Sequence, residues 1–150
     1  MKNILFLFLL LIPLPGLAQE KKSHLNHVTL VVSNLEESKA FYIGILQLEA
    51  IETPWWGEDD PYMFLSLGDA GELHIGEIEG IEIAPNGYNH FAIAVEDLDA
   101  FLSYLKAKGV QYGGLGADGE PWLVQTRPDG VRQTFLQDPD GYWVELNDKY

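Results

Sequence analysis

A short sequence pattern occurs twice in this chain. Residues 26–35 read NHVTLVVSNL and residues 89–98 read NHFAIAVEDL, with Asn, His, Val and Leu at equivalent positions. An internal repeat constrains the fold strongly, because each copy is one supersecondary unit that buries its apolar surface against its neighbour. The repeat also duplicates a histidine, His27 in the first copy and His90 in the second. We therefore expect two modules of one fold, each contributing half of a shared site.

The first copy begins a predicted module of a strand, a helix and three further strands. Residues 26–32 are mostly β-branched and apolar, which favours a strand, and apolar residues then recur at helical spacing. Ser33 and Glu36 match a capping box, which predicts Ser33 as the N-cap of the helix. The three further strands are predicted near 47–53, 61–68 and 72–78, and a glycine-bounded turn at 68–71 joins the last two.

The second copy repeats this order. A strand at 89–95 precedes a helix that Asp97 is predicted to cap, and a glycine-rich loop leads to the last strands at 131–137 and 142–147. The sequence DPDG at 138–141 predicts the turn between those strands. The predicted class is α+β. It comprises two tandem βαβββ modules, at about 25–79 and 88–148, whose curved mixed sheets surround a trough.

The N-terminus matches a secretory signal peptide. Met1-Lys2-Asn3 precedes an apolar run that ends at Leu14, and small residues lead to a predicted cleavage after Ala18. The run is shorter than the roughly 20 apolar residues of a membrane-spanning helix. We therefore expect residues 1–18 to be a signal peptide, residues 19–150 to form one domain, and the mature protein to be periplasmic or secreted without a membrane anchor.

The chain is strongly acidic, with 23 Asp and Glu residues against 9 Lys and Arg residues. Such a charge repels phosphate backbones and anionic lipids, so nucleic acids and membrane surfaces are not expected partners. Solubility alone accounts for an acidic surface. An attraction for a cationic ligand or a metal ion is the functional alternative.

Strand alternation predicts which of the candidate ligands can meet. His27 and His90 begin the two repeated strands, and His74 and Glu145 lie in the strands predicted to close each module, on the face opposite the apolar residues. A single histidine is usually an ordinary, partly buried residue. Here three of the four histidines fall at equivalent inward positions, and three imidazoles with one carboxylate suit Zn, Mn, Fe(II), Ni or Co. The remaining histidine, His24, is assigned to the surface.

The predicted trough is also rich in aromatic residues. For any one of them, core packing is the simpler interpretation. Together they are expected to wall a pocket for an apolar or cyclic small molecule. Arg127 or Arg132 is expected to hold a substrate carboxylate if it points inward. The candidate substrate-binding residues are Trp55, Trp56, Trp122, Arg132 and Trp143.

The motifs from Leu25 to Asp148 resemble the vicinal-oxygen-chelate superfamily, which includes glyoxalase I, fosfomycin-resistance proteins, extradiol dioxygenases and bleomycin-binding proteins. The resemblance is carried by LNHVT at 25–29, AFY at 40–42, NHF at 89–91 and DPDGYWVEL at 138–146. It implies one divalent metal ion held by His27, His74, His90 and Glu145. It further implies catalytic roles for Glu145, as a general base, and for Thr29, which matches the active-site threonine of fosfomycin-resistance enzymes.

Two positions differ from glyoxalase I. That enzyme typically has a carboxylate where this chain has His74, and it has a glutathione-binding arginine where this chain has Val31. The resemblance nevertheless favours an exported metalloenzyme of lyase or isomerase type that acts on a small oxygen-chelating substrate.

Two alternatives remain open. One is a single-domain dioxygenase, and the other is a non-catalytic protein that sequesters a cationic drug, as bleomycin-binding proteins do. Family members also build their sites either within one chain or between two chains, and we expect a homodimer with shared sites.

Overall fold

The computed structural model describes residues 24–57, 60–69, 71–116 and 118–150. The predicted signal peptide at 1–18 lies outside this part of the chain. Two modules are present, each with one helix. The elements of module 1 are β1 (His27–Val32), α1 (Leu35–Lys39) with a π-helical continuation (Ala40–Ile45), β2 (Tyr62–Ser66) and β3 (Glu72–Glu77). The elements of module 2 are β4 (His90–Ala94), α2 (Leu98–Ala107), β5 (Gln125–Thr126), β6 (Arg132–Gln137) and β7 (Trp143–Asn147).

The two sheets share a topology. In module 1 the strand order is β1-β3-β2, and in module 2 it is β4-β7-β6-β5. Each sheet pairs its first strand in parallel with its last strand, and the remaining pairs are antiparallel. The predicted α+β class and the structural repeat are therefore confirmed. The repeat leaves β1 and β4 as edge strands, so each has one row of backbone groups outside its sheet.

The helix caps confirm one prediction and correct another. Asp97 caps α2, because its side chain accepts a hydrogen bond from the backbone N–H of Ala100 at 2.9 Å. The predicted cap at Ser33 is wrong. Asn34 caps α1 and accepts from the N–H of Glu37 at 3.0 Å. The helix begins one residue later than the capping-box pattern suggests, because an Asn at this position satisfies a free N–H of the first turn equally well.

The strand predicted at 47–53 is not formed as a separate element. One isolated bridge joins Ala50 to Leu65, and the N–H of Ile51 donates to the carbonyl of Phe64 at 2.8 Å. This segment therefore lies along β2 for only a short distance.

The turn predicted between β6 and β7 is confirmed. Gly141 adopts a positive φ of 87°, and Asp138 accepts hydrogen bonds from the N–H groups of Asp140 and Tyr142.

The modules pack against each other through their helix-covered sides. One apolar core contains buried residues of both modules, and the rings of Tyr42 and Phe91 lie 6.5 Å apart across the junction. The Tyr42 hydroxyl donates to buried Asp138 at 2.8 Å, and the Tyr142 hydroxyl donates to the carbonyl of Val31 at 2.9 Å. Burial raises the pKa of both Asp138 and Tyr42. This packing leaves the opposite face of the module 1 sheet partly exposed, whereas Phe135, Trp143 and Glu145 on the opposite face of the module 2 sheet are buried.

The exposure patterns of β1 and β4 confirm which face each of these two edge strands buries. In β1, His27 and Thr29 are exposed while Leu30 and Val32 are buried. In β4, His90 is exposed while Phe91 is half-buried. Within the described residues, no helix has the length and apolar character needed to cross a membrane.

Candidate metal centre

Module 1 brings two of the predicted ligands into direct contact. Thr29 pairs with His74 in the β1–β3 register, and His27 lies one step along the same face. The imidazole rings of His27 and His74 stack with their centres 4.4 Å apart and their planes 6° from parallel. The first pair of candidate ligands is therefore formed as the sequence predicts, with Thr29 beside it.

A neighbouring side chain orients each of these imidazoles. Nδ1 of His27 donates to Oδ1 of Asn26 at 2.8 Å, which leaves its Nε2 free. Nε2 of His74 donates to Oε2 of Glu72 at 2.7 Å, which leaves its Nδ1 free. Histidine ligands of metal ions commonly donate their second ring nitrogen to a carboxylate or carbonyl in this way. Both rings therefore match the hydrogen-bonding pattern of metal ligands.

Module 2 contains the second pair of candidate ligands, His90 and Glu145, whose facing atoms lie close together. Nδ1 of His90 donates to the carbonyl of Gly87 at 3.0 Å. Its Nε2 lies 3.4 Å from Oε2 of Glu145, whose side chain is only 8% exposed. The other oxygen of Glu145 accepts a hydrogen bond from Asn147 at 2.7 Å. Each ligand candidate therefore has one atom oriented by a neighbour and one atom left for a cation.

The contact between His90 and Glu145 has a chemical consequence. In the neutral imidazole of His90 whose proton is on Nδ1 and is donated to the carbonyl of Gly87, Nε2 has a free lone pair. That lone pair faces a carboxylate oxygen 3.4 Å away, so two acceptors oppose each other. A proton or a metal ion between them removes this repulsion. The donor set of three imidazoles and one carboxylate fits a divalent metal ion with nitrogen and oxygen ligands.

The two pairs do not meet within one chain. Among the described residues, no group of three or more His, Cys, Asp or Glu side chains is close enough to hold a metal ion. The structure therefore brings together His27 with His74, and His90 with Glu145, but it does not bring these two pairs together.

Several residues that support the site were missed in the sequence. Glu72 and Asn147 lie two residues from a predicted ligand, on the same face of its strand, so period-two alternation was a signal for both. Phe64 pairs with His74 across β2 and β3, with ring centres 4.2 Å apart. Phe135 pairs with Glu145 and meets the ring of His90 edge-on at 5.3 Å. Cross-strand partners such as these require the register, which the sequence does not state.

The predicted substrate-binding residues divide into two groups. Trp56 contacts Tyr62 and Phe64 on the ligand-bearing side of module 1, and Trp143 pairs with His90 on that side of module 2. Trp55 lies in the same loop as Trp56 and is 72% exposed.

Trp122 and Arg132 lie on the opposite side, against α2. Nζ of Lys106, a residue of α2, is 5.3 Å from the centre of the Trp122 ring. The guanidinium of Arg132 contacts Asp99 of α2 at 2.9 Å and Asp148 at 2.8 Å, and these hydrogen bonds raise the pKa of Arg132. The expectation that Trp122 and Arg132 line the trough is therefore corrected. Arg132 lies on the face of β6 that α2 covers. Its guanidinium already donates to Asp148 and Asp99.

The ligand-bearing faces carry no positive side chain on their described strands. The strand positions that share these faces are 27, 29, 31, 62, 64, 66, 72, 74 and 76 in module 1 and 90, 92, 94, 125, 133, 135, 137, 143, 145 and 147 in module 2. None of these positions is Lys or Arg. Glu72 and Glu145 therefore give the candidate site a negative local charge.

Comparisons with known proteins place this fold in a family. Residues 24–146 match the model of the glyoxalase/bleomycin resistance protein/dioxygenase superfamily. The chain is 26% identical to lactoylglutathione lyase of Schizosaccharomyces pombe over 81% of its own length, and it spans about half of that relative, 46%. It is 30% identical to the uncharacterized protein YwkD of Bacillus subtilis, with coverage of 81% of this chain and 94% of that one.

A solved structure shows the same relation. The fosfomycin resistance protein FosX of Listeria monocytogenes superposes with a TM-score of 0.61 at 25% identity, covering 84% of this chain and 93% of that chain. The match extends over both modules. The chain therefore belongs to the glyoxalase/bleomycin resistance protein/dioxygenase superfamily.

Proposed function

We propose that this protein is an exported, glyoxalase-like metalloenzyme that acts on a small molecule with adjacent oxygen atoms. The observation that carries the proposal is the contact of His90 with Glu145, in which two oriented acceptors face each other 3.4 Å apart. The relatives support the broad class, because they include a lactoylglutathione lyase and a fosfomycin resistance protein. Export rests on the signal-peptide pattern of residues 1–18.

The complete site is proposed to form between two copies of the chain. His27 and His74 of one protomer would act with His90 and Glu145 of the partner subunit. Two features of the single chain support this arrangement. Its ligand pairs do not converge, and its modules use their helix-covered sides to pack against each other. The edge strands β1 and β4 remain able to pair with a second copy.

In this site a bound divalent metal ion supplies Lewis-acid stabilisation of negative charge on substrate oxygens. The protein residues have separate tasks. Asn26, Glu72 and the carbonyl of Gly87 hold the imidazole rings in position, and Asn147 holds one oxygen of Glu145.

The other oxygen, Oε2 of Glu145, would bind the metal ion in the resting site and is proposed to act as the proton acceptor when it is released from the metal. The side chain of Glu145 is only 8% exposed, so little water can compete with the substrate for this oxygen. Thr29 lies opposite His74 on the exposed face and is proposed to hydrogen-bond the substrate. A fourth ligand at His74 favours isomerase or lyase chemistry over dioxygenase chemistry, which typically uses two histidines and one carboxylate.

Elemental mass spectrometry of protein purified without chelator tests the metal. We expect about one divalent ion per chain, because each shared site uses one set of four ligands. Protein that stays below this ratio after separate additions of Zn, Mn, Fe(II), Ni and Co would contradict the metalloenzyme proposal.

A second candidate function is sequestration of a cationic small molecule. It is favoured by the acidic chain and by the absence of Lys and Arg from the described ligand-bearing strand positions. Calorimetric titration with bleomycin separates the two functions. Tight binding of bleomycin to protein that holds no metal supports sequestration, whereas metal at one ion per chain without bleomycin binding supports the enzyme.

A further inference from the structure

Module 1 carries a continuous row of aromatic rings beside its ligand pair. Trp56 lies 4.9 Å from Tyr62 and 6.5 Å from Phe64, measured between ring centres. Phe64 in turn lies 4.2 Å from His74, which stacks on His27. We refer to Trp56, Tyr62 and Phe64 as the aromatic row. It leads along one face of the sheet to the candidate metal ligands.

The backbone of β3 is adapted to this row. A Cβ atom at Gly76 would lie 3.0 Å from Cδ1 and 3.1 Å from Cε1 of Tyr62, which is closer than ordinary contacts. Gly76 is directly paired with Tyr62 across the sheet. The missing side chain at position 76 therefore lets the tyrosine ring lie against the strand and present its other side outward.

The row is only partly covered within the chain. Trp56 is 42% exposed and Tyr62 is 40% exposed, although both have large apolar rings. Exposed aromatic surface that adjoins a polar site is a common feature of ligand-binding grooves. Aromatic rings prefer offset-stacked or edge-on partners, so the complementary group is itself planar and aromatic.

The charges next to the row restrict the ligand further. Glu72 contacts His74 at 2.7 Å with its side chain 43% exposed, and no described strand position on this face is Lys or Arg. An anionic group placed beside His74 would meet the Glu72 carboxylate, and the described strand positions on this face offer no Lys or Arg to pair with it. Such like-charge contacts discriminate against a ligand as effectively as favourable contacts select one.

We propose that the aromatic row binds a planar aromatic group of the substrate that carries no negative charge, with the substrate's adjacent oxygens directed toward His27 and His74. This inference rests on the proposed function and specifies its substrate class. It ranks a substrate without negative charge on its aromatic group above an anionic one with the same ring. Because the row belongs entirely to module 1, it is present whichever way the metal ligands are assembled.

The probe is 2,3-dihydroxynaphthalene, which is planar and uncharged at neutral pH and has two adjacent oxygens. Its 6-sulfonate is the matched anionic probe, with the same ring and the same oxygens. Isothermal titration of the zinc-loaded protein should give a dissociation constant for the sulfonate that is about tenfold or more above that of the uncharged diol. Equal or tighter binding of the sulfonate would overturn the proposal.

Variants of the row test stacking directly. Trp56→Ala and Phe64→Leu should each weaken diol binding by about five- to tenfold, in line with the strength of aromatic pairs. Gly76→Ala should weaken it by a smaller factor, because the backbone tolerates Ala and only the Tyr62 ring must shift. Trp122→Ala is the matched control, since Trp122 is also 42% exposed but lies against α2. It should leave diol binding within about twofold of the original protein.

Zinc binding, measured in the same variants, separates the two proposals. One outcome is zinc binding at one ion per chain, with Trp56→Ala and Phe64→Leu binding the diol as tightly as Trp122→Ala does. This outcome would overturn the aromatic-row proposal and leave the metalloenzyme proposal intact. Diol binding that depends on Trp56 and Phe64 in a protein that holds none of Zn, Mn, Fe(II), Ni and Co would instead support the row and contradict the metalloenzyme.

Discussion

In module 1 the candidate ligands are two stacked imidazoles on an open sheet face, whereas in module 2 they are an imidazole and a buried carboxylate 3.4 Å apart. The residues around the two ligand pairs also differ. Aromatic rings adjoin the pair in module 1, while Asn147 and the carbonyl of Gly87 orient the pair in module 2. Both modules nevertheless have the same strand pairing. We therefore propose that one duplicated scaffold provides a ligand-stacking half in module 1 and a proton-transferring half in module 2.

The comparison makes the module 2 pair the stronger determinant of metal binding. His90→Ala removes the imidazole that faces Glu145 and leaves a buried carboxylate without its partner. We expect metal affinity to fall by at least about 100-fold, because both an oriented ligand and its counterpart are lost. His24→Ala is the matched control and should leave metal affinity unchanged, since His24 is exposed and precedes β1. Competition with a chromogenic chelator measures both variants.

A comparable loss in His24→Ala would show that binding is adventitious. So would unchanged affinity in His90→Ala.

The module 1 pair is expected to respond more weakly. His74→Ala should lower metal affinity by about 10- to 100-fold while the fold is retained, because its neighbours Leu73 and Ile75 remain buried on the other face. Far-ultraviolet circular dichroism checks the fold, and chelator competition checks the affinity. If His74→Ala binds metal as tightly as the original protein, the site reduces to His27, His90 and Glu145, and dioxygenase chemistry becomes the better proposal.

Replacing Glu72, the carboxylate that orients His74, should lower metal affinity less than replacing His74 does. Glu72→Gln keeps an acceptor oxygen for Nε2 of His74 but removes the negative charge. We expect a loss of metal affinity of up to about tenfold. An effect larger than that of His74→Ala would instead identify Glu72 as a ligand in its own right.

The sequence predicted the repeat, the strand faces and the identity of the candidate ligands from simple rules. Alternation placed His27 and His90 opposite the buried residues because β-strands have a period of two. The same rules could not place Arg132 or Trp122. The partners of these two residues lie on α2, and the sequence does not state how a helix packs on its sheet. Nor could they show that the two ligand pairs remain apart, because module packing depends on the whole core.

The smallest expected effect concerns the junction between the modules, away from both half-sites. Burial raises the pKa of Asp138, so its carboxyl is protonated more readily in the folded state than in the unfolded chain. The stability that the protonated form contributes is present at low pH and is lost as the pH rises through the folded-state pKa. Asp138→Asn removes this titration. The stability advantage of the original protein over the variant should therefore shrink as the pH rises from about 4 to 7, as urea unfolding would measure. An advantage that grows over this range would contradict the assignment.

The central claim is that half-sites from two chains complete one metal centre. His27→Ala and Glu145→Ala chains each lack one ligand in every site, so neither should bind metal tightly alone. Co-refolding them should produce heterodimers in which one site has all four ligands and the other lacks two. Elemental analysis of heterodimers verified by native mass spectrometry is the direct measurement. The account predicts about one tightly bound ion per heterodimer. No recovery of metal binding in verified heterodimers would show that each chain builds its own site.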